Sequence, residues 1–244
     1  MALGRRQQAA AEPPVEQVDW AGVQTFVVSA VERPVTVRRK RAVSGKRAVR
    51  VARGSKDLRV WAPCAFVGSS SGPGRQVAGL TARPGHTLYE DPDERRLLCF
   101  VEPPADVEVD GKQRFAVRDG RGQLVGTLVR VPPGRRSFTP FTPFKHTWRI
   151  EQPGRPEVVG RNEWVSGDAK DIAGRVAGKL LGGVLNAVTD LGAEGGDQPS
   201  KPRTLEWRAE NKVVMVSEGS EKVTVRAGWV DRRLAFAFAL VGDR

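Results

Sequence analysis

The sequence predicts an all-β protein, an antiparallel barrel or sandwich, and three observations carry that prediction. Short segments rich in β-branched and aromatic residues recur along most of the chain. Chain-reversing dipeptides separate them: Pro-Gly at 84–85 and 153–154, Asp-Gly at 110–111 and 119–120, Glu-Asn at 210–211 and Glu-Gly at 218–219. Helical crossovers of the βαβ kind are missing between them, which argues against a parallel nucleotide-binding sheet.

In order, the strand segments are TFVVSAV (25–31), VTVRR (35–39), RAVRVA (47–52), LRVWAPCAFV (58–67), RLLCFV (96–101) and DVEVDG (106–111). The clearest hairpin follows in 114–131: Phe115 and Val117 share a face, Asp119 to Gly122 reverses the chain, and Leu124, Gly126 and Leu128 alternate with Val125, Thr127 and Val129. HTWRIE (146–151), PEVVG (156–160), RTLEWRA (203–209), KVVMVS (212–217) and KVTVRAGWV (222–230) complete the set.

The last stretch, GWVDRRLAFAFALVGDR from 228, holds the purest apolar run in the chain, with no polar side chain from Leu234 to Val241. Eight apolar residues are too few to cross a bilayer, so the run must be buried by the rest of the protein. Leu234, Phe236, Phe238 and Leu240 alternate with alanines, which suits a strand with one bulky face. Asp231 followed by an Ala/Leu-rich run equally suits an N-capped helix buried on every side. Periodicity alone leaves both open.

A resemblance decides between them. The pattern F-x-V-R-D-x-x-G-x-L-V-G-x-L, the WRIE strand, the strand at 213–216 and the ending VTVRAGWVDRRLAFAFALVGDR resemble the tubby C-terminal-like superfamily, in its LURP-one-related and phospholipid-scramblase-like branch. The resemblance covers 25–165 and 203–244. It implies a closed antiparallel barrel of about twelve strands threaded by a C-terminal helix, with Leu234, Phe236, Phe238 and Leu240 buried inside it. For some relatives it also implies anionic lipid as ligand, but no lipid-binding residue matches position by position. The calcium-binding acidic stretch that the scramblase-like branch has beside its terminal helix is not carried over to this sequence.

The resulting domain plan has a mobile segment at 1–20, one barrel domain made of 21–165 and 203–244, and an insertion at 166–202. Within the insertion, Ile172, Val176, Leu180, Val184, Leu185, Val188 and Leu191 recur at helical spacing opposite Asp171, Arg175, Lys179, Asn186 and Asp190. A Gly/Pro/acid linker follows. This amphipathic helix, 169–191, either lies against the barrel or meets a protein partner or a membrane surface.

Charge supplies the functional lead. Eleven cations between Arg33 and Arg59 oppose Asp57 alone, so this segment carries +10 of the net +12. Arg38, Arg39, Lys40, Arg41, Lys46 and Arg47 are its candidate anion-binding residues. Such a stripe attracts an anionic membrane surface or a nucleic-acid backbone, or serves only as a solvated face. A second basic segment, RSFTPFTPFKHTW at 136–148, spaces Phe138, Phe141 and Phe144 three apart. It suits base stacking, lipid contact or packing across a barrel mouth.

Catalytic and metal patterns are not found. His86 and His146 stand outside any HExxH or G-x-S-x-G context, and 44–47 and 68–75 lack phosphate-loop spacing and read as turns. Asp106, Glu108, Asp110 and Gly111 imitate a calcium loop whose twelfth position would be Val117. Cys64 and Cys99 read as core residues. The expectation is a non-enzymatic binding or scaffolding protein with no cofactor and no small-molecule substrate. Its expected location is the cytoplasm, with peripheral membrane attachment as the variant that the stripe allows.

Overall fold

The computed structural model describes residues 13–68, 85–104, 111–132, 146–162, 203–220 and 222–242. Twelve strands close into one antiparallel barrel in which each strand pairs with its neighbours in sequence and the first pairs with the last. They are β1 (Thr25–Arg33), β2 (Val43–Arg53), β3 (Val60–Val67), β4 (His86–Tyr89), β5 (Leu97–Val101), β6 (Gln113–Asp119), β7 (Leu124–Val131), β8 (Thr147–Glu151), β9 (Val158–Asn162), β10 (Thr204–Ala209), β11 (Lys212–Glu218) and β12 (Lys222–Val225). Closure rests on the register Thr25↔Thr224, Phe26↔Val223 and Val27↔Lys222. Among the described residues, the α-helix α1 (Arg232–Val241) runs through the middle.

The predicted segments meet the structure with four differences. The segment read as a strand over 222–230 pairs only as far as Val225, and 228–230 turns the chain into the helix. The segment at 35–39 is irregular, because Pro34 and a Thr36–Arg39 turn end the ladder after Arg33. The strand β4 has only four residues, too short for a period-two pattern to register, and the sequence reading passes over it. Ser44 to Arg47, read as a turn, belongs to β2. Between β10 and β11 the turn chemistry is as read: Glu210 and Asn211, the two residues of the connection, both have positive φ, 46° and 68°, as a tight hairpin of the type I′ kind requires. The segment 106–110, the loop at 136–145 and the insertion at 166–202 lie outside the described residues.

A sheet of twelve strands encloses a bore too wide for its own side chains to fill. α1 fills it. Leu234, Ala235, Phe236, Ala237, Phe238, Ala239 and Leu240 are all at most 3% exposed. Phe236 meets Phe26 edge-on with ring centroids 4.7 Å apart, and Phe238 meets Trp207 at 4.6 Å and Trp148 at 5.5 Å, both edge-on. The indole nitrogen of Trp207 donates to Ser217 Oγ, so this buried ring leaves no orphan donor. Gly160 sits in register with Trp148 and Trp207, and a Cβ there would press on the Trp207 ring at 3.0–3.1 Å.

The helix start is pinned on several sides. Asp231 caps α1 by accepting from Arg233 N at 2.9 Å, and Gln152 accepts from Asp231 N and donates to Trp229 O. Arg232 is buried, a feature the sequence reading missed, and donates to the carbonyls of Val23, Ala227 and Val230. Its pKa is lowered by burial, with Asp231 opposing. Arg233 pairs with Asp231 at 2.7 Å and lies over the Trp20 ring.

Residues 13–20, part of the segment expected to be mobile, are held against the barrel. β3 and β4 share only the pairs Phe66↔Tyr89 and Val67↔Leu88, so the rest of β3 lacks that neighbour. Val18 N donates to Pro63 O there, and the Gln17 side chain donates to Glu90 O. Pro63 has no N–H to lose on this open edge. Residues 1–12 lie outside the described set.

Two outcomes follow from this core. Phe238→Ala removes a ring packed on two tryptophans and should cost about 3–5 kcal/mol in urea unfolding followed by tryptophan emission. Cys64 and Cys99 are free and buried, and burial pushes both thiols up to about 12. A raised folded-state pKa gives stability that is complete below the unfolded value and is lost as pH climbs to the folded one. Stability should therefore fall from about pH 8.5 towards 12, and Cys64→Ala with Cys99→Ala should flatten the part of that fall beginning below pH 10 in pH-dependent melts.

Candidate anion-binding surface

Arg50 is the place to start, because it stands inside the basic stripe and is fully buried. Its cross-strand partner is Val27, and the flanking Phe26 and Val28 face the core, so Val27 and Arg50 face outward from the barrel. An outward arginine is buried only if something lies over it. The β1–β2 ladder shifts register between Ser29 and Val31 and again before Arg33, which are bulges that bend the hairpin.

The bend turns the far end of the hairpin back over the wall. Arg39, in the connection that ends at Val43, donates to Arg59 O at 3.3 Å. Arg59 precedes Val60, which pairs with Arg53 at the other end of β2, roughly 33 Å of straight strand away from Val43. Only a folded-back arm brings the two together. Lys46 reaches the turn after β4, donating to Pro92 O, and Arg33 donates to Pro13 O on the N-terminal strap.

Arg50 fastens the arm at its root. Its guanidinium donates to Ser29 O at 3.0 Å, Lys46 O at 2.6 Å and Trp61 O at 3.0 Å, and pairs with Glu32 Oε1 at 3.1 Å. Ser29, paired with Ala48, is the last ladder residue before the bulge, and Lys46 lies within it, where pairing is interrupted, so one side chain ties both sides of the bend. Burial lowers the Arg50 pKa and the Glu32 carboxylate opposes that. Gly45 leaves the space in which Glu32 lies, since a Cβ there would overlap its carboxylate.

The candidate cations therefore divide. Arg38, Arg39, Lys40 and Arg41 lie in the β1–β2 connection, not on strands, while Lys46 and Arg47 lie on β2. Arg38, Lys40 and Arg41 are exposed, and among the described residues they make no hydrogen bond or ion pair. Arg39 braces the loop through Pro34 O and Arg59 O, and its own N–H donates to Thr36 Oγ1. Lys46 is exposed but engaged with Pro92, and Arg47 is half-buried. Arg50 leaves the stripe altogether.

Exposed aliphatics share this surface, and the sequence reading did not foresee them. Val37 is 78% exposed, Leu58 55% and Val35 40%. Leu58 closes the short 3-10 turn 56–58, next to the Arg59 carbonyl that Arg39 holds. The alternation Val35-Thr36-Val37 had signalled a strand; without a ladder partner, the same residues face water.

Other places offer less. A hollow of about 330 Å³ at the β8–β9 turn is open to solvent, and its carboxylates Glu151 and Glu157 are paired to Arg114 and Arg149. Among the described residues there is no cluster of three or more His, Cys, Asp or Glu placed to hold a metal, and both histidines are half-buried. No helix among them is long and apolar enough to cross a membrane. Comparison with protein-family models, with curated proteins and with solved structures finds no match to the chain.

Removing Arg50 alone strands Glu32 and three carbonyls. Arg50→Met should cost about 3–5 kcal/mol in urea unfolding, whereas Glu32→Gln, which can still accept from Arg50, should cost about 1 kcal/mol.

Proposed function

We propose that the chain is a non-enzymatic binding module that attaches to an anionic membrane surface through the folded-back β1–β2 arm. The observation that carries this reading is the pairing of three uncommitted cations, Arg38, Lys40 and Arg41, with exposed Val35, Val37 and Leu58 on one surface. Cations draw the surface towards acidic headgroups, and aliphatics gain only where hydrocarbon is within reach. Membership of the tubby-like superfamily, in its LURP-one-related and scramblase-like branch, belongs to the same proposal. What supports it is a twelve-stranded closed barrel threaded by its last helix. The proposed location is the cytoplasm, at the periphery of a membrane.

Nucleic acid is the competing ligand for the same stripe. A single-strand platform relies on aromatic faces for stacking, and the exposed large apolar residues among those described are valines and leucines. That favours lipid. A partner helix at 169–191 is a further proposal that rests on the sequence pattern alone.

The test is sedimentation with phosphatidylserine-containing vesicles beside a DNA titration, each at low and raised salt. Vesicle binding that weakens with salt is expected, and Arg38→Glu, Lys40→Glu and Arg41→Glu together should lower it at least about 100-fold, each charge contributing on the order of 1 kcal/mol. The melting temperature should stay within a few degrees, since these side chains hold nothing else. Binding to DNA alone would transfer the stripe to nucleic acid, and binding to neither would leave it a solvated face.

A further inference from the structure

We infer that Val35, Val37 and Leu58 enter the acyl boundary of the membrane, so that the protein selects loosely packed anionic bilayers over tightly packed ones of equal charge. This rests on the membrane reading above and deepens it, from the sign of the surface to its packing. Charge cannot make that selection, because at equal anionic fraction ordered chains pack the headgroups closer and raise the charge density, so attraction alone would favour the tighter bilayer. Only side chains that reach hydrocarbon can.

The loop is built for such an approach. Val37 is its most exposed member at 78%, and Arg38, Lys40 and Arg41 follow at once in sequence, with stems long enough to keep their charges at the headgroups while the valine goes deeper. Backbone polar groups resist entry into an apolar layer unless they are bonded. Here Thr36 N donates to Arg39 O at 2.9 Å and Arg39 N to Thr36 Oγ1 at 3.0 Å, closing the turn around Val37. Arg39 then ties this loop to the carbonyl beside Leu58, so two separate connections present their aliphatics together. A rigid tip spends less ordering entropy on insertion than a free loop.

The experiment compares vesicles of equal phosphatidylserine fraction, one with unsaturated chains and one with saturated chains and cholesterol. The full chain should bind the unsaturated vesicles about tenfold more tightly. Val35→Ser, Val37→Ser and Leu58→Ser together should remove that preference while leaving the salt-sensitive binding common to both. A dye placed through Val37→Cys gives a second reading, since Cys64 and Cys99 are buried and should not compete for label. Its emission should shift to that of an apolar environment on unsaturated vesicles only. Equal binding to both vesicles, a preference that survives the serine variant, or a dye that stays in water would overturn insertion while the electrostatic reading stands. Failure to bind either vesicle at low salt would overturn both.

Discussion

Everything in this protein depends on filling the bore of a twelve-stranded barrel. A ring of that size cannot pack on its own side chains, so the closed sheet and the central helix are one object. Phe236 and Phe238 reach different parts of the wall, against Phe26 on β1 and against Trp148 and Trp207 on β8 and β10. The alanines between them are buried as well, so the helix is enclosed on every side. The cap at Asp231, the brace from Gln152 and the buried Arg232 all serve to set the depth at which those rings sit.

Much of this was legible in residues. The strands announced themselves by β-branched alternation, and the hairpins by Asp119 to Gly122 and Glu210-Asn211, because those signals are local. The helix was not legible by period, since alternating Leu/Phe and Ala fit a strand equally well; only the resemblance separated the two. β4 escaped because four residues, His86 to Tyr89, carry too little pattern. Hydrogen bonds across distant parts of the chain were beyond reach as well, and the N-terminal strap is held by just such bonds, Val18 to Pro63 and Gln17 to Glu90.

The basic stripe shows where reading by composition fails. Arg50 and Arg41 look alike in a count of charge, yet one is a buried tie and the other an exposed cation. What separates them is a bulge, and a bulge is a property of two strands in register. The clue in the sequence was Glu32, an acid at the edge of a run of cations, together with Gly45, which leaves room for it. A positive segment that must fold back on itself needs a fixed counter-charge at the bend, and the arm has one.

Closure also has a cost in time. β1 finds its second neighbour in β12, so Thr25 waits for Thr224 before the ring is complete. At roughly 5–20 residues per second, a ribosome needs about ten to forty seconds to supply that partner. Throughout that interval the nascent chain presents the open edge of β1 and, at its growing end, the edge of whichever strand came last, each a template for pairing with another chain. Contacts of such long sequence separation also slow the final step itself. The ring that is closed in the finished molecule thus passes through its synthesis open at both ends, and its yield in a cell depends on how well those two edges are shielded until they meet.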